Sequence, residues 1–228
     1  MNLLKSNPLD FLRHFPLLEG IQEETLQTIG QYIETAKYEK HEIIYQENED
    51  SEYLYFLIKG IVKIGKYASD GREVIKHILH PMAIFGELCL THENRRSDFA
   101  IAMNEEVHLL RIHIGHLRHI MRNNNELALR VLQFIGKRLE RVERRLESLI
   151  FKDARERIIE FIKEVASRRG KRVGYETLIK HSLTQQDIAN ITGTSRQTVT
   201  SVLNELRKSN LIYFNRRSIL IRDLERLA

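Results

Sequence analysis

The chain has 228 residues, with 36 Lys and Arg against 31 Asp and Glu, and a single Cys. That length suits one large domain or two small ones with ordinary cores, and 42% hydrophobic with 29% charged residues is the balance of a soluble globular protein. One thiol, Cys89, excludes an internal disulfide framework and the four-thiolate sets of iron–sulfur clusters or structural zinc.

The N-terminal stretch MNLLKSNPLDFLRHFPLL is apolar in places, but Pro8, Asp10 and Pro16 interrupt it. Neither a signal peptide nor a membrane span fits, so a cytoplasmic protein with no membrane partner is expected. Residues 1–33 read as helical, with Leu26, Ile29 and Ile33 at helical spacing. From Tyr38 the period changes. Runs at 42–45, 53–58, 61–67, 73–79, 99–102 and 107–112 are short and rich in β-branched, aromatic and leucine residues. Turn signals separate them: Asn48-Glu49-Asp50, Lys59-Gly60, Ser69-Asp70-Gly71 and His80-Pro81. This spacing predicts an antiparallel sandwich or barrel.

Near Ile114 the pattern turns helical again. Over 124–150, Leu132, Leu139 and Leu146 repeat every seven residues, and Ala128, Ile135, Val142 and Leu149 form a second row. Together they make a coiled-coil seam, the expected homodimer contact, with Arg138 and Glu143 placed to pair across a parallel partner. The alternative is that the stripe packs on its own sheet. Leu at one core position and Ile or Val at the other leans toward higher oligomers, but three heptads specify this weakly. Phe151-Lys152-Asp153 breaks the register, and a further amphipathic helix is predicted over 154–168.

The most informative stretch is TQQDIANITGTSRQTVTSVLNELRK, residues 184–208. Thr184 with Asp187 is an N-terminal capping pair, Gly193 sits where a helix stops, and Ser195 can cap a second helix. In that helix Val199, Val202, Leu203 and Leu206 share one face. Arg196, Gln197, Thr200, Ser201 and Asn204 share another, and all can hydrogen-bond to base edges or phosphates. Thr184 and Gln185, at the start of the first helix, are further candidates for phosphate contact. This is a helix-turn-helix pattern. Leu211–Arg222 follows as a hairpin whose turn, Asn215-Arg216-Arg217-Ser218, suits a DNA backbone. Residues 151–228 hold 16 Lys and Arg against 9 Asp and Glu, a balance of +7, while residues 1–150 hold 20 against 22. The positive charge surrounds the motif, which favours double-stranded DNA as partner.

Helix, small barrel, long helix, helix-turn-helix and wing, in that order, resemble the Crp/Fnr family of bacterial transcription regulators over nearly the whole chain. The specific pieces are Phe85-Gly86-Glu87-Leu88, then Arg96-Ser97 ten residues after Gly86, and Ser195-Arg196-Gln197-Thr198-Val199. The resemblance implies an α+β protein. It would have an N-terminal antiparallel β-roll (jelly-roll) effector domain over 1–123, a coiled-coil dimerisation helix and hinge over 124–152, and a winged helix-turn-helix domain over 153–228. It also implies RNA polymerase as a partner and an effector site at Gly86, Glu87, Leu88, Arg96 and Ser97. There the arginine would pair with the phosphate of a cyclic nucleotide and the glutamate would take the ribose.

Three departures bear on the ligand. The loop between Gly86 and Arg96 is about one residue short. Asp98 stands where a small residue is usual, and would repel a phosphate or occupy Arg96. The base-reading positions of the long helix align with Val142 and Glu143, which offer no hydroxyl. The possible cofactor is therefore a cyclic nucleotide or another anionic small molecule. Alternatively, Glu87 and Arg96 pair with each other and no ligand enters. At the recognition helix, Arg196 matches the family's guanine reader, while Gln197 replaces a common Glu and Ser201 a common second Arg. The preferred half-site should shift accordingly.

Two rival functions remain at this level. One is a metal or haem sensor, since small barrels can host metals and the chain is rich in histidine; but the H-x-x-H spacing of His77 and His80 on a strand puts them on opposite faces, no carboxylate cluster accompanies His113, His116 and His119 on one helical flank, and no metal site is expected. The other is a nucleotide-sensing module that acts on another protein. No nucleophile–base pair is legible, so no enzyme activity is expected.

Overall fold

The computed structural model describes residues 7–90, 95–215 and 217–227. The chain forms two compact units, residues 1–140 and 141–228.

The first unit begins with α1 (Pro8–Leu12), capped by the Asn7 side chain and started by proline, and α2 (Glu23–Gly30), whose first turn is acidic. The expected helical reading of 1–33 fails at its end. Ile33 opens β1 (Ile33–Tyr38), which pairs with a distant strand; a hydrogen-bonding edge outweighs the weak i, i+4 pattern of one isoleucine. Seven more strands follow: β2 (Ile43–Tyr45), β3 (Tyr53–Lys59), β4 (Val62–Tyr67), β5 (Glu73–Leu79), β6 (Ile84–Phe85), β7 (Phe99–Ala102) and β8 (Val107–His113). They form two antiparallel sheets, ordered β1-β8-β3-β6 and β2-β7-β4-β5. The unit closes with α3 (Ile114–Arg122) and the start of α4 (Asn125–Phe151).

Side-chain alternation explains why β3 and β8 are buried on both faces. Leu54 and Phe56, with Leu110 and Ile112, face a helical layer that includes Phe15, Leu26, Leu117 and Leu127. Tyr55 and Leu57, with Val107 and Leu109, face the barrel interior beside Ile64, Phe85 and Ala100. Each fully buried leucine here contributes about 1.5–3 kcal/mol. The edge of Phe15 meets Phe56 at 5.1 Å, which locks the helical layer in register. The expected corners at Gly60, Gly71 and Gly86 all have positive φ, of 97°, 80° and 80°.

The second unit takes the last turns of α4, then α5 (Ala154–Arg169), β9 (Lys171–Val173), β10 (Glu176–Lys180), α6 (Gln185–Thr192), α7 (Arg196–Lys208), β11 (Ile212–Asn215) and β12 (Ser218–Ile221). Asp153 and Glu156 form a reciprocal capping box at the break in register. The wing belongs to a four-stranded sheet, β11-β12-β10-β9. The hairpin β9–β10, turning at Gly174-Tyr175, has no hydrophobic alternation in its sequence, because Lys171, Arg172 and Val173 are all exposed. Ile158, Ile159 and Ile162 of α5, Val199, Leu203 and Leu206 of α7, and Ile212, Ile219 and Ile221 of the sheet are buried.

Candidate nucleic-acid interface and barrel pocket

The helix-turn-helix is built by local bonds. Thr184 Oγ1 accepts from the Asp187 amide at 3.1 Å, and the Asp187 carboxylate accepts from the Thr184 amide at 2.8 Å. Gly193 ends α6 at φ 64°, a left-handed conformation that costs glycine little. Ser195 then caps α7, its hydroxyl accepting from the Thr198 amide at 3.0 Å. The apolar face of α7 is buried as expected. On the other face Ser195, Arg196, Gln197 and Ser201 are exposed and Asn204 is half-buried. Among the described residues, the Arg196 guanidinium has no partner.

Thr200 departs from its expected role as a reader. Its hydroxyl proton is shared between Gln185 Oε1 at 2.7 Å and the Arg196 carbonyl at 2.9 Å. It thereby ties the start of α6 to α7. Thr184 itself is exposed. In the wing, Asn215 and Ser218 are register partners, and Asn215 Oδ1 accepts from the Arg217 amide at 2.9 Å. Arg217 is exposed at the tip, and Arg216 lies outside the described residues.

In the first unit a pocket of about 310 Å³, counting its open mouth, is lined by residues that include Tyr45, Phe85, Gly86, Glu87, Leu88, Arg96, Ser97, Asp98 and Arg138. Gly86 is required there twice over. Its φ is positive, and a Cβ would lie 2.9 Å from both the Tyr53 carbonyl and Arg96 Nη1. Arg96 is only 3% exposed. It donates to the Gly86 carbonyl at 3.0 Å and the Tyr53 carbonyl at 2.6 Å, and lies 4.3 Å from the centre of the Tyr45 ring. Its Nε is buried with no hydrogen-bond partner.

Neither expected carboxylate reaches Arg96. Glu87 pairs instead with Arg138 of α4 at 2.7 Å, and Asp98 with Lys76 of β5 at 2.9 Å. This corrects the alternative Glu87–Arg96 pair and the expectation that Asp98 neutralises Arg96. It also places Arg138, expected as a charge between two coiled helices, in the wall of the pocket. Among the described residues Arg96 has no carboxylate partner, and a buried cation in that state is costly. Burial holds the neighbouring phenols neutral, Tyr45 well above its ordinary range and Tyr55 up to about 12. Ser97 is half-buried and Leu88 exposed. Burial also pushes the Cys89 thiol up to about 11, which leaves it an unreactive thiol. Tyr45 was not singled out from sequence, where it reads as an ordinary strand residue, and Arg138 was singled out only as a coiled-coil charge and not as a pocket residue.

Along α4, Leu132, Leu139, Val142, Leu146 and Leu149 are 66, 59, 53, 57 and 48% exposed, and Glu143 is exposed beside them. Ala128 is half-buried, and Ile135 packs partly on the core of its own unit beside Phe134. The leucine stripe therefore does not pack on its own sheet. His113 caps α3, and its ring lies edge-on 5.9 Å from that of His116, which stacks on Tyr32. Among the described residues no three His, Cys, Asp or Glu are grouped to hold a metal ion, and no helix is long and apolar enough to cross a membrane.

Comparison with known proteins agrees with this layout. Residues 35–124 match the cyclic nucleotide-binding domain model, and residues 156–228 match the Crp-like helix-turn-helix domain model. A CRP-like cAMP-activated global transcriptional regulator from Mycobacterium tuberculosis is 30% identical over 219 residues, covering 96% of this chain and 97% of that one. A global nitrogen regulator from Nostoc is 28% identical, covering 81% and 83%. The solved structure of FixK2 from Bradyrhizobium japonicum superposes with a TM-score of 0.76 at 26% identity, covering 86% of this chain and 95% of that one. With a barrel, long helix and winged helix-turn-helix in this order, and a relative matched nearly end to end, the chain belongs to the Crp/Fnr family of DNA-binding transcription regulators.

Proposed function

We propose that this protein is a homodimeric transcription regulator that reads a pseudo-palindromic DNA site and whose barrel senses an anionic small molecule. The observation that carries the reading is the outer face of α7. It presents Ser195, Arg196, Gln197 and Ser201 to solvent, with the guanidinium uncommitted, above a packed apolar face. Such a helix can enter a major groove while its own core stays intact. The exposed leucine stripe of α4 supports pairing of two copies, which would present two recognition helices about one helical turn, roughly 34 Å, apart. The buried Arg96 with its open Nε supports an anion in the barrel, and the cAMP-activated relative makes cyclic nucleotides the first ligands to test. RNA polymerase would be the partner through which such a regulator acts, in the cytoplasm.

A selected-site DNA library tests the reading. Arg196 is expected to read a guanine through its O6 and N7, and Arg196→Ala should cost about 1–3 kcal/mol at that base pair while other positions keep their ranking. Gln197 should discriminate more softly. Arg216 and Arg217 should contact phosphates, so Arg217→Ala should weaken all sequences alike and lower the salt slope by about one. If Arg217→Ala changed the preferred sequence and Arg196→Ala did not, the assignment of reader and clamp would be reversed.

A further inference from the structure

We infer that Arg157 and Arg145 are positioning residues for DNA recognition, locking the end of α6 to the corner between α4 and α5 and so setting the spacing of the two half-sites. The inference rests on the homodimer reading above. It starts from an accounting of backbone groups. The last carbonyls of a helix have no partner within it and carry the negative end of its dipole. At the end of α6 these carbonyls meet guanidinium groups. Arg145 Nη2 donates to the Ile191 carbonyl at 2.6 Å. Arg157 Nε donates to the Thr192 carbonyl at 2.9 Å, and its Nη2 to the Gly193 carbonyl at 3.3 Å. The remaining nitrogen of the same fork, Nη1, donates to the Lys152 carbonyl at 2.7 Å, at the corner itself.

One planar side chain thus holds both the turn of the helix-turn-helix and the corner that follows the leucine stripe. The corner is itself braced. Glu160 accepts from the Ser148 hydroxyl and pairs with Lys152, each at 2.5 Å, and Asp153 closes the capping box of α5. α7 begins three residues after Gly193, so the turn that Arg157 holds is also the turn that aims the recognition helix. The last turns of α4, the corner and the turn are therefore one bonded piece. Each nitrogen of the Arg157 guanidinium donates to a carbonyl, so its role is placement and not contact with DNA. A lysine cannot reproduce the fork, because its ammonium is a single point of donation.

The test uses full-length protein and a DNA library in which two fixed half-sites are separated by variable spacers. Wild type should enrich one spacer. In Arg157→Lys the preference for that spacer over its neighbours should fall by roughly tenfold, the scale of a lost charge-assisted hydrogen bond, while base preference within each half-site stays the same. Arg145→Met, which removes the bond to the Ile191 carbonyl and leaves the Arg157 fork in place, should broaden the spacing less and guards against misfolding of the first variant. Binding of each variant to a single half-site shows that its helix-turn-helix is intact. Unchanged spacer selectivity in both variants would overturn the inference and leave the dimer reading standing. A wild type that binds single half-sites with no spacer preference would overturn both.

Discussion

The two units carry their chemistry in opposite ways. In residues 141–228, the groups that would meet DNA lie on one face of α7 and at the tip of one hairpin. The side chains of Arg196, Gln197 and Ser201 are open to solvent, while Ser195 also caps α7 and Thr200 ties it to α6. In residues 1–140, the pocket draws Tyr45 from a strand, Gly86, Glu87, Arg96 and Asp98 from the stretch between β6 and β7, and Arg138 from the long helix, and Glu87, Arg96 and Asp98 are each already bonded to a neighbour. Exposed readers such as Arg196, Gln197 and Ser201 can be exchanged at little cost to stability. A pocket of this kind cannot, because each member also satisfies a neighbour.

The comparison can be broken most forcefully at the element that belongs to both units. Leu139 and Leu146 are exposed in the single chain, so Leu139→Asp with Leu146→Asp should leave each protomer folded, with only a modest loss of helix propensity. A dimer seam, however, would not tolerate the buried charges. Sedimentation should show monomers, and affinity for the complete site should fall by roughly 10²–10⁴ as the linkage of two half-sites is lost. An unchanged mass would show that the stripe is not the interface.

A smaller effect separates the pocket from the surface. Arg96→Met should abolish stabilisation by an anionic ligand, worth about 2.7 kcal/mol at a hundred times Kd, in thermal shift against cyclic nucleotides and other phosphate-bearing metabolites. Ligand-free stability should change by less than about 1 kcal/mol, because the variant also removes a buried cation that has no carboxylate partner among the described residues. A ligand shift that persists in Arg96→Met would place the ligand elsewhere.

The smallest effect sharpens the role of the α4–α5 corner. Burial pulls the Glu160 carboxyl up, but the donors Lys152 and Ser148 outweigh it and hold the carboxyl below its ordinary range. The stabilisation is therefore present above the unfolded-state value near 4.5 and is lost as pH falls through the lowered folded value. Because Glu160 and Lys152 are each more than a third exposed, the expected change is small. Thermal melts from neutral to acid pH should show a slightly shallower loss of stability in Glu160→Gln than in wild type, and identical curves would show that the corner does not depend on that charge.

Much of this protein is determined within short windows of sequence. Capping at Thr184, Asp187 and Ser195, the left-handed stop at Gly193, and the heptad leucines of α4 are each set by residues within a few positions, so backbone sterics and periodicity suffice to read them. The strand runs were legible for the same reason, while β1 and the hairpin β9–β10 were not. Their strand state comes from hydrogen bonds to β8 and β12, whose residues lie far along the chain or carry the hydrophobic pattern on their behalf. Partner choice is the part that only tertiary structure decided. Sequence placed Glu87, Arg96 and Asp98 close together and left open which charges would pair. Folding brought Arg138 and Lys76 to the two carboxylates and left Arg96 between two carbonyls and an aromatic ring. Helical and strand periods depend on neighbours in the chain, whereas an ion pair depends on which surfaces meet, and that is fixed by the packing of the sheets against the long helix.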